Sequence, residues 1–175
     1  IIGPAGGRVV VQRAASMEER VALLRDAQCV LVGGAQITSA VLDRLPDLEL
    51  IIRYGVGLDS LDVPAATEHG VVVAHYPDFC QPEVANHAMM LLLAVARKLL
   101  PHDRAMRAGQ YRGPGLPVVP PITGETLGIG ALGAIGRQVA QRARAFGMHV
   151  LAFDPYLDAA TFAEAGAERA ATFEE

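Results

Sequence analysis

Several residue types that would place a chain in a large functional class are scarce here. There are two cysteines, Cys29 and Cys80, in 175 residues. They make neither a metal-ligand spacing nor a disulfide framework, which excludes a stapled secreted domain and fits a reducing cytoplasm. The five histidines are dispersed, and no metal site is read from them. Positive charge is also thin, with 15 Lys and Arg against 19 Asp and Glu and a net charge of −4. Arg137, Arg142 and Arg144 are the densest basic group, and they read as the solvated face of one helix. Nothing in this pattern argues for nucleic acid. The longest uncharged apolar run, residues 84–96, is too short to span a bilayer. No stretch reads as a secretory signal, an internal repeat or a low-complexity segment.

Glycine and apolar residues are plentiful, with 18 glycines and 51% hydrophobic residues. That supports one good core or two small ones. The most informative stretch is residues 126–154, TLGIGALGAIGRQVAQRARAFGMHVLAFD. It reads as strand, glycine turn, helix, strand and a terminal carboxylate, the layout of a dinucleotide-binding βαβ unit. Residues 126–130 make the first strand and residues 149–153 the second. Residues 137–146 are helical, with Ile135, Val139, Ala143 and Phe146 spaced for one apolar face. Gly147 ends that helix.

The chemistry explains the spacing. Gly133 lets backbone approach a pyrophosphate, and the helix start aims unpaired N–H groups at it. Gly136 allows helix and strand to pack closely. Asp154 can accept two hydrogen bonds from a ribose diol and repels a 2′-phosphate, which favours NAD over NADP. Two registers fit the motif. Gly128, Gly130 and Gly133 match it literally but leave almost no strand. Ala131, Gly133 and Gly136 keep the strand and explain Gly136, and this second register is the one adopted. It asks a tight turn to accept a methyl group at Ala131, which requires a negative φ there.

The first half also alternates strand and helix. Strands are expected at residues 8–12, 29–32, 48–52 and 71–74, the second of them buried. Ser16 and Glu19 form a capping box that opens a helix to about Ala27. Thr38 caps a helix to Leu45, and Asp62 caps a short helix with Pro64 in its first turn and Gly70 at its end. This is an α/β layout with a parallel sheet. Pro82 opens a long helix that is apolar nearly all round over residues 84–96, so burial on more than one side is expected. Such a helix suits a position between domains or subunits. Pro101 interrupts it, and residues 112–121 form an arm without periodicity. The expected domains are residues 1–98 and residues 99–175. The chain reads as a fragment cut at both ends, lacking the first strand of one domain and the later strands of the other.

The ordered set Arg53-Tyr-Gly-Val-Gly-Leu-Asp-Ser-Leu-Asp62, Ala65-Ala66, Gly70, Ala74, Pro77 and Val84-Ala85-Asn86-His87 resembles the D-isomer-specific 2-hydroxyacid dehydrogenases. That family includes phosphoglycerate dehydrogenase and the C-terminal-binding-protein-like dehydrogenases, and residues 77–80 are most similar to the latter. The resemblance implies a flavodoxin-like substrate domain, a Rossmann nucleotide domain, an active site in the cleft and a homodimer. It implies that Gly55, Val56 and Gly57 offer backbone N–H groups to a substrate carboxylate, with Val56 also beside the cofactor. Cys80 would line the nicotinamide and substrate pocket. Ala131, Gly133, Ala134, Ile135 and Gly136 would hold the pyrophosphate of NAD, and Asp154 its adenosine ribose.

Bland readings stand beside these. Gly55 and Gly57 make a turn, Arg53 braces it, Asp59 and Asp62 are loop and cap residues, and His87 is a hydrogen-bonded core histidine. Three positions depart from the family pattern. His75 stands where Asn is usual, Ala134 where a basic side chain often touches the pyrophosphate, and Ala131 where Gly is usual. The family's catalytic Arg, Glu and His match no residue of this chain, so no catalytic residue is assigned and no turnover is expected of these 175 residues alone. Two functions follow. The first is an NAD-dependent oxidoreductase that interconverts a D-2-hydroxy acid and a 2-keto acid. The alternative is an NAD-sensing, corepressor-like binding protein on the same scaffold.

Overall fold

The computed structural model describes residues 6–174. The chain divides into two compact units, Ile1–Phe79 and Cys80–Glu175. The first contains α1 (Met17–Leu24), β1 (Cys29–Val32), α2 (Ser39–Leu42), β2 (Leu50–Arg53), α3 (Val63–Glu68) and β3 (Val72–His75). Its three strands are parallel and lie in the order β1-β2-β3. Two helix starts follow local side-chain chemistry, whereas Thr38 makes no side-chain cap at α2. The Glu19 amide donates to Ser16 Oγ at 3.1 Å, and Glu19 reaches back to the amide of Ala15 at 2.7 Å. The Ala65 amide donates to Asp62 Oδ1 at 3.0 Å. Val21, Ile37, Val41, Leu42, Leu45, Ile51 and Ala66 form the core.

The second unit contains α4 (Gln81–Ala96), α5 (Leu99–Arg107), β4 (Thr126–Gly130), α6 (Ala134–Ala145), β5 (His149–Phe153), α7 (Ala159–Ala165) and β6 (Glu168–Arg169). Its strands are also parallel, in the order β4-β5-β6. Met89 of α4, Leu132, Ala140 and Ala143 of α6, Val150, Ala152 and Phe162 of α7 make its core. Gly147 ends α6 with a φ of +76°, as expected.

Five expectations are corrected. Residues 8–12 form no strand, and Val9, Val10 and Val11 are exposed: the run has β-branched residues but no ladder to join. β1 is not wholly buried, because it is an edge strand and only Val32 is sealed. The units part before α4, earlier than residue 98, because Met89 and Leu92 pack into the second core. α4 buries one side only, through Ala85 and Met89, and leaves Val84, Met90, Leu91 and Val95 exposed. The apolar face of α6 runs through Val139, Ala140 and Ala143, while Ile135 and Phe146 are exposed.

Among the described residues no single helix is long and apolar enough to cross a membrane; α4 and α5 are bent by 62° at their break.

Candidate functional site

In the first unit the chain leaves β2 at its carboxyl end and makes the turn Gly55, Val56, Gly57. Two side chains grip its carbonyls. Arg53 Nε donates to the Gly57 carbonyl at 3.0 Å, and its Nη1 donates to the Val32 carbonyl of β1 at 3.3 Å. His75 Nδ1 donates to the Val56 carbonyl at 3.1 Å. The register makes this possible, because Arg53 and His75 are Cα partners across β2 and β3. Gly55 is needed for the fit: a β-carbon there would meet the Arg53 guanidinium at 2.8 Å.

The grip determines where the amides point. No peptide in the described chain is cis. In a trans peptide the N–H points opposite to the C=O of the same unit. Holding the Val56 and Gly57 carbonyls inward therefore aims the Gly57 and Leu58 N–H groups outward. Neither amide donates to an acceptor among the described residues. Two successive unpaired N–H groups suit an anion such as a carboxylate, with Arg53 adding positive charge nearby. Arg53 thus braces the turn, as its bland reading held, and His75 is a second brace that the sequence did not disclose.

In the second unit the turn between β4 and α6 is organised by an acceptor. Asp154, at the carboxyl end of β5, is 9% exposed. Its Oδ2 accepts from the buried Leu132 amide at 3.0 Å, and its Oδ1 accepts from the Tyr156 amide at 3.0 Å. The Ala131 amide donates to the Phe153 carbonyl at 2.8 Å. A carboxylate oxygen has a second lone pair, so each remains able to accept from a ribose hydroxyl.

The turn supports the register Ala131, Gly133, Gly136. A β-carbon on Gly136 would overlap the Ala131 carbonyl, whereas one on Gly128 would meet nothing. The expectation of a negative φ at Ala131 is overturned: φ is +75°, the left-handed region that a methyl group disfavours. The ties from Ala131 to Phe153 and from Leu132 to Asp154 hold it there. Gly133 is the N-cap of the 12-residue helix α6, and a β-carbon on it would face open space. The Ala134 and Ile135 amides begin that helix without acceptors among the described residues. Open space before free N–H groups, with an acceptor at the next strand end, fits a pyrophosphate and its adenosine ribose.

Other residues are placed differently from expectation. Arg137 reaches back to the Leu132 carbonyl at 3.5 Å, so a guanidinium stands at the turn although Ala134 has none. Arg142 bonds Asn86 of α4 at 2.8 Å, and Arg144 lies over Gly166, so the three arginines are not simply a solvated face. Periodicity could not disclose these links, since each depends on a neighbouring element. His87 is exposed rather than a core histidine. Cys80 is half-buried, caps the start of α4 with a φ of 55° and belongs to the second unit, whereas Gly55, Val56 and Gly57 belong to the first. Among the described residues no group of His, Cys, Asp or Glu is arranged to hold a metal ion.

Comparison with known proteins finds relatives along most of this chain. D-3-phosphoglycerate dehydrogenase from Methanocaldococcus jannaschii is 37% identical over 155 residues, which cover 86% of this chain and 29% of that protein. Glyoxylate reductase from Thermococcus kodakarensis is 37% identical over 139 residues, covering 76% of this chain and 42% of that one. The crystal structure of D-lactate dehydrogenase from Aquifex aeolicus, complexed with NAD and lactic acid, superposes with a TM-score of 0.75 at 26% identity, covering 86% of this chain and 45% of that one. The α/β fold class expected from the sequence is that of these neighbours. The chain spans less than half the length of each of these three proteins. The model of the D-isomer-specific 2-hydroxyacid dehydrogenase catalytic domain matches residues 3–173. With that match over nearly the whole chain, the chain belongs to the D-isomer-specific 2-hydroxyacid dehydrogenase family.

Proposed function

We propose that this chain serves an NAD-dependent oxidoreductase that interconverts a D-2-hydroxy acid and a 2-keto acid. The observation that carries the reading is Asp154, which ends β5 and holds the Leu132 amide of the glycine turn at 3.0 Å. That tie supports reading Asp154 as the acceptor for a ribose diol, next to the amides of Gly133, Ala134 and Ile135. These residues, with Ala131 and Gly136, would hold NAD. When bound, the nicotinamide supplies or accepts the hydride.

The chain's own residues bind and orient. Gly57 and Leu58, aimed by Arg53 and His75, would take the substrate carboxylate, with Gly55 giving room to the guanidinium. Val56 of the first unit would lie beside the substrate and the cofactor, and Cys80 of the second would line the nicotinamide and substrate pocket. No residue of this chain is assigned as the acid–base catalyst.

The alternative of an NAD-sensing, corepressor-like protein gains no support from the relatives described, which are dehydrogenases and reductases. Assembly as a homodimer belongs to the same proposal and is supported by the exposed apolar residues Val84, Leu91 and Val95 along one face of α4. A cytoplasmic setting is proposed from the two free cysteines.

Cofactor choice tests the reading. A titration of the chain with NADH and NADPH, followed by the fluorescence of the reduced nicotinamide, should give tighter binding of NADH. Asp154→Ala should narrow the gap, because a carboxylate attracts a diol and repels a phosphate. Equal affinities in the unaltered chain would sink it.

A further inference from the structure

We infer that the first unit is built for a 2-keto acid with a large, uncharged apolar side chain, aromatic above all, and not for one that carries a second anionic group. The inference rests on the carboxylate-binding turn proposed above and deepens it. In a 2-keto acid the side chain begins two bonds from the carboxylate carbon. Once the carboxylate sits on the Gly57 and Leu58 amides, the groups around that turn meet the side chain.

Those groups are aromatic or aliphatic, and uncovered. Tyr54 is 61% exposed, Val56 42%, Tyr76 60% and Phe79 49%. They occupy the loops that follow β2 and β3, at the carboxyl edge of one sheet. Tyr54 reaches across that edge toward β1, since a β-carbon on Gly33 would meet its Cζ at 3.1 Å. Tyr76 and Phe79 form a tilted ring pair with centroids 6.4 Å apart. Exposed aromatic rings flanking an anion-binding turn offer contact area and ring faces to an apolar substituent.

The charges point the same way. A second anion beside the turn is favoured by an uncommitted cation and disfavoured by a carboxylate. Arg53 is committed to the turn, bonded to the Gly57 and Val32 carbonyls and packed against Gly55. Arg20 donates to the Gln36 carbonyl at 2.9 Å in the loop after β1. The turn itself carries the carboxylate of Asp59, which lies against Gly57. A phosphate or second carboxylate beside the turn would meet this negative charge, whereas an aryl or branched alkyl group would not.

The test is a nitrogen-15 correlation titration of the chain with phenylpyruvate, glyoxylate and 3-phosphohydroxypyruvate. The expected result is movement of the Gly57 and Leu58 amide signals, with phenylpyruvate about tenfold tighter than the phosphorylated acid and tighter than glyoxylate. Tyr54→Ser and Tyr76→Ser should each lower phenylpyruvate affinity about fivefold, and its ratio to glyoxylate should fall with it. The same spectra report whether each variant is folded. If all three acids move Gly57 and Leu58 but the phosphorylated one binds tightest, or if phenylpyruvate and glyoxylate bind alike, the side-chain inference is overturned while the carboxylate reading stands. If no acid moves Gly57 and Leu58, the carboxylate reading fails and this inference fails with it.

Discussion

The two units solve one problem by opposite means. Each has a three-stranded parallel sheet and a turn at the carboxyl end of a strand, and each turn presents backbone N–H groups. In the first unit donors do the holding: Arg53 and His75 seize two carbonyls, and the amides of the same peptides turn outward. In the second an acceptor does it: Asp154 seizes one amide, and the amides that begin α6 are left free. The first arrangement keeps a cation behind the outward amides. The second keeps an anion beside the free ones, which under the proposed reading favours a ligand that brings hydroxyl donors along with a phosphate. Two glycine turns of similar layout thus differ less in their glycines than in the sign of the group that holds them.

Removing each clamp should separate the two designs most clearly. Asp154→Ala leaves the buried Leu132 amide without an acceptor, at a cost of about 2–3 kcal/mol in stability. Arg53→Ala breaks two bonds near the surface, where water replaces them, and should cost about 1–2 kcal/mol. Urea unfolding with probes in each unit would rank them. A larger loss from Arg53→Ala would break the comparison, because it would mean that the turn of the first unit is the more buried one.

A smaller effect of opposite sign sharpens it. Ala131 holds a φ of +75°, a conformation that costs an L-residue about 1–2 kcal/mol. Ala131→Gly should stabilise the second unit by about 1 kcal/mol, after the extra chain entropy that glycine loses. Unchanged or lower stability in thermal unfolding would show that the turn relaxes around the methyl group.

The smallest effects are those of pH, and they run in opposite directions. In the first unit the hydrogen bond to the Ala65 carbonyl, then that to Asp43, raises the His69 pKa. Its stabilisation is complete below the ordinary histidine pKa and is lost as pH rises through the raised one. In the second unit the Thr161 amide and hydroxyl lower the Asp158 pKa. That stabilisation is present above the ordinary aspartate pKa and is lost as pH falls through the lowered one. Both groups lie at the surface, so small opposite slopes in unit-specific unfolding against pH are expected. His69→Gln and Asp158→Asn should each flatten one slope and leave the other.

What the sequence disclosed was mostly what neighbouring residues decide. Ser16 with Glu19, Asp62 and Gly147 act within one helical turn, and each does what its type and position suggest. Asp154 was legible because a strand end fixes where a carboxylate stands. Longer-range matters were not. Residues 8–12 have strand-like composition, but a strand needs a partner, and none pairs with them. The hold of His75 on Val56 depends on the register of β2 against β3, which no local pattern encodes. The φ of Ala131 is imposed by hydrogen bonds from β5, reached only after α6 has folded back. The one-sided burial of α4 depends on where Met89 and Leu92 find a core, which its nearly uniform apolar sequence does not specify.

The tie between Leu132 and Asp154 also sets a clock. A buried amide bonded to a carboxylate exchanges its proton with solvent only when the turn opens. The neighbouring amides of Ala134 and Ile135, with no acceptor among the described residues, exchange without any opening. Slow and fast deuteration thus sit two residues apart in one loop. A ligand that merely covers the turn would slow the fast pair alone, whereas one that draws Asp154 away from Leu132 would quicken the slow one.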